Sequence, residues 1–330
     1  LSTLDEIYSK FEQNKFHGKY CFLCGTELNE KNKSIEHVIP RWLQKRYNLW
    51  DQKLGLLNGT EIFYRHLTIP CCKTCNNEYL KPLEDSIKGC LEKGITSFRE
   101  LQKETLFYWL GKIYFGIMYK ELFLHYNQKR PNEGRIVTSE YLKSFQTHFI
   151  FLQGIRNLHR FKDFFPASIY IMETQSPLDI MQQWDFIDMH NKMFIAIRMG
   201  NVGIMALLQD GETTKQLQDH LSEYFSVSLH PLQFRELACM IMYKSFLMNR
   251  IPKYISYELK DCVETLQMPL MGLSGKPIFD AWDNEEYAAI LTHFTGMPLE
   301  YINPEPGKVR TWIKDEEGKP LFFDVSKDET

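Results

Sequence analysis

Apolar and aromatic positions recur at three- and four-residue spacing across LQKETLFYWLGKIYFGIMYKELFLHY, residues 101–126. This spacing predicts a long buried helix carrying Phe107, Tyr108, Trp109, Tyr114, Phe115 and Tyr119. Between Phe164 and Asp210 the pattern shortens to FPASIYIMET, WDFIDMH, MFIAIRMG and VGIMALLQDG, divided by Ser-Pro, Asn-Lys and Gly-Asn breakers. A small antiparallel meander is predicted there. Helical spacing returns in TTKQLQDHLSEYF, LQFRELACMIMYKSFLMN and NEEYAAILTHFTG, while VRTWIKDEEGKPLFFDV predicts a hairpin turning at Glu-Gly. Ahead of all these, SIEHVI is a short β-branched run closed by Pro40, a residue suited to the first turn of a helix. The pattern as a whole predicts an α+β chain: a small N-terminal module, then a mostly helical part with a β meander.

Length divides the chain further. At 330 residues it exceeds an ordinary domain of roughly 100–200, so two are expected, 1–94 and 95–330. Hydrophobic residues at 44% and charged residues at 25% match a globular protein and exclude disorder or fibre. A net charge of −3 excludes the strongly positive field of a polybasic nucleic-acid coat, so any nucleic-acid contact must be local. The balance is positive before residue 94 and negative after it. The opening LSTLDEIYSKFEQNKF has no apolar signal core, and no segment offers the ~18 consecutive apolar residues of a membrane span. A cytoplasmic, reducing location without membrane contact is therefore expected. The sequence has no internal repeat, no Gly-rich phosphate loop and no Gly-x-Ser-x-Gly elbow. Candidate chemistry is thereby confined to the first third.

Five of the eight cysteines fall between Cys21 and Cys75, a clustering that favours metal over disulfides. Cys21-Phe-Leu-Cys24-Gly25 has the form of a zinc knuckle, with a glycine that permits the tight turn. Cys72-Lys-Thr-Cys75 supplies two more thiolates, and four thiolates close a tetrahedral Zn²⁺ site that stabilises a fold without doing chemistry. Cys71 lacks the two-residue spacing to Cys75 and reads as a spectator, and Cys90, Cys239 and Cys262 read as small apolar residues.

Between the knuckles lies Ser34-Ile35-Glu36-His37-Val38-Ile39-Pro40-Arg41-Trp42-Leu43. Neighbouring side chains on a strand point to opposite faces, so Glu36 and His37 can share one centre only where the strand ends or twists sharply. Taken alone, a Glu-His pair is more often structural. After the last cysteine come Asn76 and Asn77 at a helix start, where Asn is ordinarily a cap. Oxygens from Glu36 and Asn76 would make a sparse, hard site suited to Mg²⁺ or Mn²⁺, leaving His37 to take a proton from water.

CFLCG, SIEHVIPRWL and IPCCKTCNNEYLKPLE, taken in this order, resemble the HNH endonucleases of the ββα-metal superfamily, in the subgroup stapled by four cysteines. The resemblance covers approximately residues 17–90. It implies Glu36 as the acidic ligand of the catalytic metal, His37 as the base that activates water, and Asn76 as the closing ligand, with Asn77 its nearest substitute. Glu36 stands where the family often has Asp. The middle residue of the motif, which pins the loop between the two strands, corresponds to His66 or, alternatively, Asn58.

On this reading DNA is the expected partner, hydrolysed through a structural Zn²⁺ and a catalytic Mg²⁺ or Mn²⁺. Arg41, Lys45 and Arg46 offer a basic helix edge to its phosphates; a solvated helix face is the plain alternative. Tyr47, Trp42 and Trp50 read as core. A regulatory role for residues 95–330, a protein partner, a homodimer and a place in prokaryotic defence or toxin systems are expectations by analogy only. The rival expectations are a noncatalytic zinc-stabilised binding module and an HNH ribonuclease.

Overall fold

A computed structural model describes residues 7, 18–57, 59–218, 221–270, 275–315 and 317–325. Asn58, most of the opening segment and the Asp219-His220 step lie outside the described residues. Strand β1 (Lys33–His37) runs through Pro40 into helix α1 (Arg41–Arg46), and a short hairpin of β2 (Lys53–Gly55) and β3 (Glu61–Phe63) precedes β4 (Thr68–Cys72). A wide π turn over Cys75–Leu80 leads into α2 (Lys81–Lys93), followed by α3 (Ile95–Glu100), α4 (Lys103–Glu121), α5 (Ser139–Lys143) and α6 (Gln146–Leu152). Then come β5 (His159–Phe161), β6 (Ser168–Glu173), β7 (Trp184–Met189), β8 (Phe194–Met199) and β9 (Val202–Leu207). Helix α7 (Pro231–Phe246), strands β10 (Tyr254–Glu258) and β11 (Val263–Gln267), and helices α8 (Asn284–Thr295) and α9 (Leu299–Ile302) complete the order. The fold is mixed α+β with small, mainly antiparallel sheets. Among the described residues no helix is long and apolar enough to cross a membrane.

The chain packs into two compact units, each assembled from separate stretches. The first takes residues up to Glu92 together with Leu101–Phe164 and Tyr254–Gln267; the second takes Lys93–Glu100, Phe165–Lys253 and the residues from Met268 onward. The aromatic helix α4, expected to open a second domain after residue 94, belongs instead to the first unit. It is buried on every side from Leu106 to Tyr119 apart from Tyr108, so it needs neighbours all round and the N-terminal elements are among them. Two glycines set how closely they approach. A Cβ at Gly111 would stand 2.9 Å from the His148 ring of α6, and one at Gly116 would stand 3.0 Å from the Val38 methyls just past β1.

In the first unit β1 and β4 pair antiparallel, with Lys33 opposite Cys72, Glu36 opposite Ile69 and His37 opposite Thr68. Pairing continues past the strand through the Val38 amide, which donates to Leu67 O. A second sheet, ordered β10-β11-β5, has β5 parallel to β11 and was not signalled by the hydrophobic pattern. Its aromatic cover is Phe151, Phe161 and Tyr254, with ring centroids 5.0–5.2 Å apart from Phe151.

The second unit holds a four-stranded antiparallel sheet ordered β6-β9-β8-β7. The expected meander is present in β7, β8 and β9, but β6 returns beside β9, a Greek-key order. Strands β8 and β9 are buried at every position, and α7 packs over them with Phe234 against Gly203. The described residues of TTKQLQDHLSEYF include two short 3₁₀ turns, Thr213–Gln218 and Ser222–Phe225, where helical spacing predicts α-helix. Asp210 accepts from the backbone and the hydroxyl of Thr214, holding that first turn tight. The C-terminal hairpin turns as expected, Asp315 N donating to Lys319 O and Gly318 at φ +80°, but it makes a single bridge and no strands. Pro320 in its return arm removes a ladder donor.

Candidate functional site

The first knuckle closes where the Gly25 amide donates to Cys21 O at 2.8 Å, with Gly25 at φ +64°. Phe22 N donates to Pro70 O, and the Gln153 amide donates to Leu23 O, so the turn is fixed both to β4 and to the residues after α6. On the other side Cys75 N donates to Cys72 Sγ at 3.3 Å. The sulfurs of Cys21, Cys24, Cys72 and Cys75 are buried and all lie within 4.8 Å of one another, an arrangement that can hold a metal ion. The Cys24–Cys72 separation of 3.7 Å matches the edge of a tetrahedron with bonds of about 2.3 Å, the length for zinc and thiolate sulfur. Cys71 is buried beside this group with its Sγ directed at Cys72 O, and all eight cysteines are free of disulfides.

Two strand positions away, Glu36 turns inward and is only 5% exposed. Its Oε1 lies 2.5 Å from Nζ of Lys112 on α4, and the same ammonium donates to Glu84 Oε1 of α2 at 2.9 Å. It also lies 3.3 Å from each of the carbonyl oxygens of His37 and Val38. Burial pushes the Glu36 carboxyl up to about 7, opposed by the charge of Lys112 and reinforced by Glu84. Burial alone would lower the Lys112 ammonium, but Glu36 and Glu84 hold it above its usual range.

His37, at the strand end, faces the other way as the alternation of a strand requires. Its ring stacks on Trp50 with centroids 6.2 Å apart, and the Arg41 guanidinium lies 5.6 Å from the same indole. Burial lowers the His37 imidazole below its usual range, and the charges of Arg41 and Lys112 lower it further against Glu84. The ring is neutral at pH 7, and its nitrogens make no hydrogen bond among the described residues.

Asn76 crosses from the start of the π turn to β1, its Nδ2 donating to Ser34 Oγ at 2.7 Å and lying 3.5 Å from Ile35 O. That contact orients the amide with its nitrogen on the strand and leaves Oδ1 without a hydrogen bond among the described residues. Asn77 is exposed. His66 is also exposed, standing edge-on to Phe63, and makes no hydrogen bond between the strands. Gln44, fully buried on α1, donates its amide to Ile39 O at 2.7 Å and so secures the turn from β1 into that helix. Arg41, Lys45 and Arg46 are exposed along α1, and Arg46 lies over Tyr47, which is core. Trp50 is not a plain core residue, because it forms the surface on which His37 rests.

The structure thus brings Asn76 to the strand that carries Glu36 and His37, while it directs those two to opposite sides. Sequence reasoning missed Glu84, Lys112 and Gln44. A signal for Lys112 was present: it is the only charged residue between Glu104 and Lys120, and an ammonium inside so apolar a helix needs an acid. Comparison with known proteins brings no likeness to bear on these residues: no family model, curated protein or solved structure matches the chain.

Proposed function

We propose that the chain is a metal-dependent endonuclease of the HNH type that hydrolyses phosphodiester bonds in DNA. Structural zinc is assigned to Cys21, Cys24, Cys72 and Cys75, and Mg²⁺ or Mn²⁺ to Glu36 and Asn76. One observation supports the reading above the rest: the Asn76 amide, delivered by the turn after the last cysteine, is bonded to β1 beside Glu36 and His37. Asn76 Oδ1 and Glu36 Oε2, neither engaged by a donor among the described residues, are hard oxygens of the kind that Mg²⁺ prefers. A divalent ion held there supplies Lewis acidity toward the scissile phosphate and the leaving oxygen. His37, neutral and half-buried, accepts a proton from water. Trp50 fixes the plane of that ring, and Arg41, Lys45 and Arg46 present positive charge to phosphates, so binding weakens as salt rises.

The test is cleavage of supercoiled plasmid, linear duplex and structured RNA with Mg²⁺, Mn²⁺ or EDTA, by wild-type protein and His37→Ala. Metal-dependent nicking of DNA that the variant loses by a factor of about 100 or more is expected, within the range for a general base. Cleavage confined to RNA would reassign the substrate, and equal cleavage by His37→Ala would end the mechanism. A second reading, a noncatalytic metal-stapled binding module, is favoured by the Glu36–Lys112 ion pair and by the opposite directions of Glu36 and His37. It predicts nucleic-acid or protein binding without cleavage under any of these conditions.

A further inference from the structure

The Lys112 ammonium has three N–H donors and four acceptors around it, namely Glu36 Oε1, Glu84 Oε1, His37 O and Val38 O. Three of the four belong to consecutive residues, Glu36, His37 and Val38, where β1 ends and the chain turns toward Pro40. Lys112 is completely buried and comes from α4, across an interface so close that a Cβ at Gly116 would stand 3.0 Å from the Val38 methyls. Gly116 lies four residues after Lys112 and so on the same helix face. A cation that merely neutralised Glu36 would not need to gather the two carbonyls that follow it.

We propose that Lys112 is a positioning residue for the Glu36–His37 centre: one ammonium fixes the carboxylate of Glu36 through Oε1 and the carbonyls of His37 and Val38, and so sets the strand end from which both side chains project. Glu84 brings a second carboxylate to the same ammonium and ties α2 to the same point. The chemistry of the N-terminal segment therefore depends on a helix outside residues 1–94, and that segment alone lacks the group that shapes its centre. This inference rests on the nuclease reading for its consequence in catalysis, but the positioning itself can be read without any activity.

The experiment uses the full chain in three forms: wild type, Lys112→Met, and Lys112→Met combined with Glu84→Gln. Lys112→Met leaves buried Glu36 and half-buried Glu84 without their counter-charge, so it lowers thermal stability. The double variant removes the Glu84 charge and recovers only part of the lost stability, because Glu36 stays buried without its ammonium and the tethers to Glu36, His37 and Val38 stay broken. Amide hydrogen exchange by mass spectrometry then reads the peptide spanning Ile35–Arg41, with β10 and β11 as an internal reference. In the double variant the Ile35–Arg41 peptide exchanges at least tenfold faster than in wild type and the reference strands are unchanged. Plasmid cleavage by the same protein loses at least tenfold in kcat with an unchanged KM for DNA.

Exchange at the wild-type rate in Ile35–Arg41 would overturn the proposal whatever the cleavage result. Faster exchange with wild-type kcat would overturn its bearing on the reaction. Faster exchange in a protein whose wild-type form never cleaves would uphold the positioning and remove the nuclease reading instead.

Discussion

The first unit contains two anionic clusters whose charge is offset by different routes. Cys21, Cys24, Cys72 and Cys75 gather four sulfurs that, as thiolates, need a cation from outside the chain. Glu36 and Glu84 gather two carboxylates around a cation the chain supplies itself, the ammonium of Lys112. A cluster that imports its charge couples folding to the supply of metal. One that carries its charge is set as soon as the helix packs, and cannot be emptied by a chelator. The comparison explains why both can sit within the same small unit: one secures the turns that bracket β1 and β4, and the other secures the end of β1.

The sharpest way to break the comparison is to remove the imported cation. Cys24→Ser, or dialysis against a strong chelator at neutral pH, should abolish cooperative unfolding of the first unit. Metal coordination at such sites is worth on the order of 10 kcal/mol, more than most domains have to spare. Metal content by elemental analysis should fall from one zinc per chain to none, and a chain that keeps its melting transition without metal would refute the thiolate assignment.

Acid offers a second test, through a buried imidazole packed on the helix that carries Lys112. His148 packs on Gly111, next to Lys112, where burial lowers its imidazole to about 4 while the bond to Gly111 O opposes the shift. The folded form thus favours neutral His148 and the unfolded chain protonates near 6.5, so its contribution is intact above about pH 6.5 and lost as pH falls toward 4. The stability of wild type relative to His148→Leu should drop by about 3 kcal/mol across that window. Urea unfolding of both proteins at several pH values checks it, and a difference independent of pH would mean that folding leaves the His148 imidazole at its ordinary value.

The smallest expected effect sharpens the picture of how α4 meets β1. Gly116→Ala places a methyl 3.0 Å from Val38 and should cost about 1–2 kcal/mol by overpacking, with faster exchange around Val38 than around His148. A neutral result would show that Lys112 can reach Glu36 from a helix set further away.

What could be read from the sequence follows the same division. Each thiolate pair lies within one turn of chain, so spacing and a glycine sufficed to identify it. The turn from β1 through Pro40 into α1 is equally local, and so is the burial of α4, which its own periodicity announces. The partners of Lys112 could not be read, because they lie 76 and 28 residues away and no local pattern pairs them. The sheet of β5, β10 and β11 escaped notice because its strands are short and carry polar residues on both faces, as in YISYE. The place of β6 beside β9 is a matter of strand order, which hydrophobicity along one strand does not encode. His66 stands ahead of the second knuckle in sequence, but its ring is exposed, and exposure is a matter of packing that local sequence does not encode.

The π turn over Cys75–Leu80 carries a consequence for the phase of the helix that follows it. Lys81 N donates to Asn76 O, five residues back, so this stretch holds one residue more than an α-helical turn would. A residue of helix is a rotation of about 100°, and deleting one here would swing α2 by that angle relative to the thiolates. Asn76 could then keep its place on Ser34 or Glu84 its place on Lys112, but not both. The extra residue works like the offset on a camshaft: it lets a single rod, anchored at Cys75, present an amide to one side and a carboxylate to another at the angles that the two contacts require.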